Sequence, residues 1–130
     1  MKAERGTPEP NYLREKFSNK DLAAVIADEG LCGTDPDCAD ALNLFLSAYG
    51  AEAGNLALKC LAVGGVYVAG GIAPKILPAL KGNFFLSAFR KKGRFEKSLS
   101  GVPIYVIVNE EAALIGAAAI AAGIKDNSKP

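Results

Sequence analysis

A short apolar segment between two glycine pairs constrains the fold of this chain more than any other stretch. Residues 66–69 (Val-Tyr-Val-Ala) lie between the glycine pairs at 64–65 and 70–71, and Pro74 follows. Apolar runs of this length and composition are typical of buried strands. Proline suits the first turn of a helix, so a strand, a glycine turn and a helix are predicted in succession. Such a turn is common in α/β proteins, and it can also receive a nucleotide at the carboxyl end of a sheet.

A second apolar run, residues 104–108 (Ile-Tyr-Val-Ile-Val), predicts another buried strand. Continuous apolar strands need cover on both faces, as in a parallel sheet, and helices between them supply right-handed crossovers. The sequence therefore predicts an α/β fold with two parallel strands and about five helices. In a sheet of two strands both would be edge strands, which is unusual for strands as apolar as these. We therefore interpret them as inner strands of a larger sheet whose other members are missing from this chain. We expect self-association, as a homo-oligomer, to cover their open edges and apolar faces.

Capping residues and apolar spacing predict the helices. Asp35 and Pro36 begin the longest one, which should end near Leu61. Gly50 and Gly54 lie inside it, and each costs roughly 1 kcal/mol relative to alanine in a helix interior. The close approach of another backbone would offset that cost.

The remaining segments are predicted as shorter elements. A helix should run from residue 22 to about residue 30, with a loop to residue 35 after it. A short or bent helix should begin at Pro74, because Pro78 cannot donate a backbone hydrogen bond inside it. The last helix is predicted to begin at Asn109 as its cap and to end at Gly123.

A dense basic cluster follows the apolar face of residues 84–89 and consists of Arg90, Lys91, Lys92 and Arg94. These cations either complement the negative end of a helix dipole or contact a phosphate or a partner. Asn55, a polar residue in the apolar neighbourhood of the long helix, is either bonded to a loop or exposed, and we favour the bond to a loop.

The composition excludes several classes of function. The chain has 130 residues, 50% of them hydrophobic and 22% charged, which is typical of one globular domain. A net charge of +1 gives no electrostatic reason to expect nucleic acid or an acidic membrane as a partner. Because no histidine is present, Ser-His and Cys-His catalysis and histidine metal sites are excluded from this chain. Three cysteines, without zinc spacing or a secretory leader, predict free thiols in the cytoplasm.

Four segments of the chain match a known family in the same order. They are residues 44–58, 64–77, 89–95 and 102–118, and together they cover most of the chain from about residue 37 to residue 121. In these segments the chain resembles the carboxyl-terminal part of bacterial glucokinases, which belong to the sugar-kinase, actin and heat-shock ATPase superfamily. The resemblance implies an incomplete ribonuclease-H-like, actin-like ATPase nucleotide lobe.

Pro8, Pro10 and mixed charges predict an extended lead-in over residues 1–17, with a short turn near Tyr12 and Leu13 at its end, and residues 125–130 are expected to be a frayed tail. The resemblance implies that residues 18–124 are part of the carboxyl-terminal lobe and that they hold a nucleotide site. The last helix resembles the family's connecting helix beside the interdomain hinge, although Ala113 stands where the family usually has glycine. The adenosine motif, against which the base and ribose lie, would be formed by Ala69, Gly70, Gly71 and Ile72.

The family's catalytic segments have no counterpart in this sequence. The Asp-x-Gly-Gly-Thr phosphate loop is absent, and the catalytic aspartate and the glutamate and histidine that hold glucose would precede Met1. The resemblance thus implies a fragment of a cytoplasmic ATP-dependent glucokinase, with Mg²⁺, ATP and glucose as the ligands of the full-length enzyme. The fragment would be inactive alone, with no catalytic, sugar-binding or metal-binding residue of its own. One alternative is a stand-alone, non-catalytic module that binds a nucleotide or a partner. Another is an unrelated α/β domain with a chance glycine turn.

Overall fold

The computed structural model describes residues 10–123. Within this range the chain forms seven α-helices rather than about five, together with two strands and a 3₁₀ turn at Gly93–Phe95. None of these helices is long and apolar enough to cross a bilayer. In chain order the elements are α1 (Asn11–Asn19), α2 (Leu22–Cys32), α3 (Pro36–Lys59), β1 (Val66–Val68), α4 (Leu77–Leu80), α5 (Asn83–Arg90), α6 (Glu96–Ser100), β2 (Ile104–Val106) and α7 (Ala112–Ala121).

The two strands pair in parallel, as predicted, with Tyr67 opposite Tyr105 in the register. Both are shorter than the apolar runs that predicted them. The backbone N–H of Ile107 still donates to the carbonyl oxygen of Val68 at 2.9 Å, so the pairing continues past the end of β2. In the described residues the sheet has two strands only. The larger ribonuclease-H-like sheet therefore stays a prediction.

Helix α3 begins and ends close to its predicted bounds. The Asp35 side chain accepts a hydrogen bond from the backbone N–H of Cys38 at 3.0 Å, and Pro36 follows in the first turn. This cap satisfies one of the donors that a helix start leaves free. The helix ends at Lys59, two residues before the predicted end.

The two glycines in α3 let helix α5 lie against it. A Cβ atom at Gly50 would lie 2.2 Å from the carbonyl oxygen of Phe85, and one at Gly54 would lie 2.4 Å from that of Phe89. The predicted close approach of a second backbone is confirmed. Phe85 and Phe89 are fully buried and form the centre of the main core with residues from α3, β1 and α6.

The amino-terminal part differs from its prediction, because residues 11–19 form a helix rather than an extended lead-in. Leu13 is 1% exposed and packs with Val25 and Cys38 in a second, smaller core, to which Phe17 adds a partly buried ring. The short sequence holds too few apolar residues to predict a helix by spacing alone, and packing against α2 and α3 stabilises it. The part of the lead-in before residue 10 lies outside the described residues, as does the predicted frayed tail.

Helix α2 continues past Gly30, where the sequence predicted its end, and stops at Cys32. A Cβ atom at Gly30 would lie 2.9 Å from the carbonyl oxygen of Cys38, so this glycine gives space to α3 rather than ending the helix. Gly33 ends it instead, with a positive φ of 67°.

Two other helix starts lie further along than predicted. Pro74 is part of a turn, and α4 begins at Leu77 with Pro78 in its first turn. Asn109 caps a turn and not the helix itself, because its side-chain oxygen accepts a hydrogen bond from the backbone N–H of Glu111 at 2.9 Å. Helix α7 begins after that turn, at Ala112.

Side-chain bonds fasten α1 to the helices after it. The Tyr12 hydroxyl donates to Asp35, and burial together with this bond raises the pKa of Tyr12 to about 12. The Lys16 ammonium donates to Glu29, and this bond, with one from Thr34, lowers the pKa of the Glu29 carboxyl. Because folding lowers that pKa, the pair contributes stability above the ordinary glutamate range and loses it as pH falls through the folded pKa.

Candidate nucleotide site at the glycine turn

The candidate site is the glycine turn of residues 69–72, which leaves the end of β1. Gly70 has a φ of +103°, a conformation that side-chain-bearing residues rarely adopt. Cβ atoms built at Gly70 and Gly71 would have no atom within 4 Å. Ala69 and Ile72 are also exposed. The turn therefore presents bare backbone to the solvent.

Buried residues on both sides hold this exposed turn in place. Val68 before it is 6% exposed, and Ala73 and Ile76 after it are 0% and 2% exposed. The carbonyl oxygen of Ile72 accepts hydrogen bonds from the backbone N–H groups of Lys75 and Ile76 at 3.1 and 3.2 Å. The turn is thus an exposed loop with anchored ends, which suits a surface that must keep its shape when a ligand arrives.

The turn lies at the carboxyl end of the parallel strands. The bond from Ile107 to Val68 keeps the ends of β1 and β2 side by side at this edge. In open α/β sheets, ligands bind outside the carboxyl ends of the strands. Residues 69–72, which are consecutive in the chain, lie at this edge of the sheet, and their role in nucleotide binding stays a prediction.

Two surface cavities lie away from the turn, and residues 69–72 line neither of them. The first, of about 450 Å³, is apolar and lies beside the inner face of the strands, with Lys81 and Tyr105 in its lining. The second, of about 600 Å³, is polar and includes Asn83, Ser87 and Glu96. No signal in the sequence pointed to either cavity, because their linings come from several elements.

The basic cluster is divided among three environments. The Lys92 ammonium donates to the carbonyl oxygen of Ala51 at 2.8 Å and to the side-chain oxygen of Asn55 at 2.7 Å. Asn55 is thus bonded to a loop residue, as predicted, and it is exposed as well. The Arg94 guanidinium lies 4.9 Å from the ring centre of Phe95, whereas the side chains of Arg90 and Lys91 line the polar cavity. One member of the cluster therefore joins α3 to the segment after α5, a role that the sequence did not predict.

Residues 10–123 contain no group of three or more histidine, cysteine, aspartate or glutamate side chains placed to hold a metal ion. The three cysteines are free thiols, with Cys38 buried and the other two exposed.

Comparison with known proteins identifies the family. The family model described as glucokinase matches residues 6–124. This chain belongs to the glucokinase family. The glucokinase of a Synechocystis species is 53% identical over 102 residues, which are 78% of this chain and 29% of that protein. The glucokinase of a Nostoc species is 51% identical over 102 residues, again 78% of this chain and 30% of that protein.

A solved structure agrees with this assignment. The crystal structure of a glucokinase from an Antarctic psychrotroph has a TM-score of 0.71 and 31% sequence identity to this chain. The match covers 94% of this chain and 35% of that protein. The chain spans about 30% of the length of the curated glucokinases that it matches. The family resemblance seen in the sequence is confirmed, and the matched share is that of one part of the family's fold.

Proposed function

We propose that this chain supplies the adenosine side of the nucleotide site in a cytoplasmic, ATP-dependent glucokinase. The observation that carries the proposal is the bare glycine turn at the carboxyl ends of two parallel strands in a glucokinase-family chain. The complete enzyme would transfer the γ-phosphoryl group of ATP to the 6-hydroxyl of glucose.

The turn has the properties that an adenosine contact requires. With no side chain at Gly70 or Gly71, the base and ribose could reach van der Waals distance of the backbone. Ile72 is 59% exposed and offers an apolar surface to the face of a base. The anchored ends of the turn would keep these groups in one position. We therefore assign Ala69, Gly70, Gly71 and Ile72 to nucleotide binding.

The contribution of this chain would be positional. Phosphoryl transfer depends mainly on alignment of the donor and acceptor and on neutralisation of charge. Residues 69–72 would fix one end of ATP, so that its phosphates extend toward groups outside this sequence. Those groups would include the carboxylate base on the sugar hydroxyl, so the 130-residue chain should not phosphorylate glucose by itself. Mg²⁺ would accompany ATP, and none of the described residues is assigned to it.

Nucleotide binding to the chain can be tested by NMR titration with adenosine and with ATP, using backbone amide signals of the full sequence. We expect the largest shifts at residues 69–72, and we expect Gly71→Val to weaken binding roughly tenfold or more, because a side chain would occupy the contact surface. Gly64→Val is the matched control. Like Gly71, Gly64 has no atom within 4 Å of a built Cβ and lacks a positive φ.

Three results separate the possible outcomes. Equal binding by the Gly71 and Gly64 variants, or shifts at other residues only, would show that the turn is not the site. In the third outcome, adenosine binds at the turn and the chain alone phosphorylates glucose. This result would support the nucleotide site but contradict the proposal that the catalytic groups lie outside this sequence.

A further inference from the structure

The polar cavity beside helix α5 is lined by five polar side chains, and the proposed function uses none of them. Asn83, Ser87 and Arg90 follow one another at four- and three-residue steps, so they lie along one face of α5. Lys91, directly after α5, and Glu96, in the first turn of α6, complete the set. The cavity therefore gathers donors and acceptors from two helices and from the segment that joins them.

The basic cluster supplies this cavity with two of its four cations. The ammonium of Lys92 is turned away toward α3, and the guanidinium of Arg94 lies over the ring of Phe95. Arg90 and Lys91 remain, and both line the cavity. Arg90 also lies in the last turn of α5, where it complements the helix dipole. That role does not require a second cation beside it or a cavity in front of it, so the dipole alone does not account for the arrangement.

The polar groups of the lining are available to a ligand. Within residues 10–123, Arg90 and Lys91 form no ion pair with Glu96 or with any other carboxylate. In the same range the side chains of Asn83 and Ser87 make no hydrogen bond to another protein group. Two positive charges thus face one cavity without direct neutralisation by the carboxylate that shares it.

Buried anchors hold the lining in place. Phe85 and Phe89 fix α5 to the core at 2% and 0% exposure, and Leu99 fixes α6 at 2% exposure. The segment between the two helices is fastened by the bond from Lys92 to the carbonyl oxygen of Ala51 at 2.8 Å. Binding groups that are already positioned lose less conformational entropy when a ligand arrives.

The charges of the lining define the class of ligand. Arginine and lysine side chains are suited to phosphate oxygens, and arginine can donate two parallel hydrogen bonds to them. The Glu96 carboxylate only accepts hydrogen bonds, so it opposes a ligand that carries anionic oxygens alone and suits one that also carries hydroxyl groups. A phosphate ion would fill only a small part of a cavity of about 600 Å³, which lies in the usual range for small-molecule sites.

We propose that the polar cavity binds a phosphate monoester of a small polyol. Arg90 and Lys91 bind the phosphoryl oxygens, and the Glu96 carboxylate accepts hydrogen bonds from hydroxyl groups of the ligand. Asn83 and Ser87 bond the remaining ligand oxygens. Residues 69–72 do not line this cavity, so the inference does not depend on nucleotide binding.

NMR titration of the full chain with glycerol 3-phosphate tests the site, with inorganic phosphate and glycerol as comparison ligands. We expect saturable shifts of the backbone amide signals of residues 83–96. The dissociation constant for glycerol 3-phosphate should be roughly fivefold or more below that for either comparison ligand, because only this ligand uses both kinds of contact. An absence of shifts in residues 83–96, or shifts confined to residues 69–72, would refute the site. Equal affinities for glycerol 3-phosphate and inorganic phosphate would overturn the proposed class of ligand.

Two variants that each remove one positive charge separate the cavity from general electrostatic attraction. Arg90→Gln should raise the dissociation constant for glycerol 3-phosphate roughly tenfold or more, because it removes the two-bond contact with the phosphoryl group. Lys97→Gln is the matched control, because Lys97 is exposed on α6 and does not line the cavity. Circular dichroism shows whether both variants stay folded. Equal weakening by the two variants would mean that net charge alone attracts the ligand, and it would refute the site.

Glu96→Ala tests the recognition of hydroxyl groups. Removal of the carboxylate should reduce the preference for glycerol 3-phosphate over inorganic phosphate roughly threefold or more, because a hydroxyl contact and a repulsion of phosphate are lost together. Glu110→Ala is the control, because it removes the same charge from an exposed residue that does not line the cavity. An unchanged preference in Glu96→Ala would contradict the contact between Glu96 and the ligand hydroxyl groups.

Discussion

Two glycine pairs in this chain serve opposite physical needs. Gly50 and Gly54 lie inside α3, where α5 comes so close that a Cβ atom would meet a backbone carbonyl oxygen. Gly70 and Gly71 lie in an exposed turn, where a Cβ atom would meet nothing. The first pair must be glycine because the backbone of α5 leaves no space for a side chain. The second pair leaves space open, and only Gly70 needs its freedom of φ. A glycine in a sequence therefore has no single meaning until its surroundings are known.

The largest effect is expected for Gly50→Ala. The new methyl carbon would lie 2.2 Å from the carbonyl oxygen of Phe85, which belongs to the backbone of α5 and cannot rotate away. Forced separation of α3 and α5 should lower the free energy of unfolding by about 3 kcal/mol or more. Urea unfolding followed by circular dichroism measures this. A loss below about 1 kcal/mol would mean that the helices separate easily, and it would remove the contrast between the two pairs.

An intermediate effect is expected for Gly70→Ala, with Gly71→Ala as its control. Neither methyl group would touch another atom, so the difference between the two variants isolates the cost of the φ of +103° at Gly70. We expect Gly70→Ala to destabilise the chain by about 1–3 kcal/mol and Gly71→Ala to stay within about 0.5 kcal/mol of the original chain. Equal losses of unfolding free energy in the two variants would show that the φ of +103° at Gly70 adds no cost for a residue with a side chain.

A smaller effect is expected for Lys92→Met, which sharpens the role of Gly54. A Cβ atom at Gly54 would lie 3.0 Å from the Cε of Lys92, so this glycine also makes room for the lysine to reach Ala51. Loss of the two bonds of the ammonium should lower the free energy of unfolding by about 1–2 kcal/mol. Lys91→Met is the control, because Lys91 lies at the surface and lines the polar cavity. No difference between the two variants would mean that the Lys92 bonds add no net stability.

Local sequence predicted the features that depend on near neighbours. The start of α3 followed from Asp35 and Pro36, because a capping side chain and a proline act within one turn. The positions of β1 and β2 and their parallel pairing followed from two apolar runs joined through helices. The glycine turn was likewise visible from its composition, and in the structure it follows the carboxyl end of β1.

Tertiary structure decided what depends on residues distant in the chain. Residues 11–19 are helical because Leu13 packs against α2 and α3. Helix α2 passes through Gly30, where the missing side chain leaves space for the Cys38 carbonyl oxygen. Lys92 reaches Ala51, 41 positions away, and no pattern of spacing could indicate that bond. Capping and periodicity act over a few residues and are written in the local sequence. Contacts between elements depend on how whole surfaces fit together, so only the assembled fold determines them.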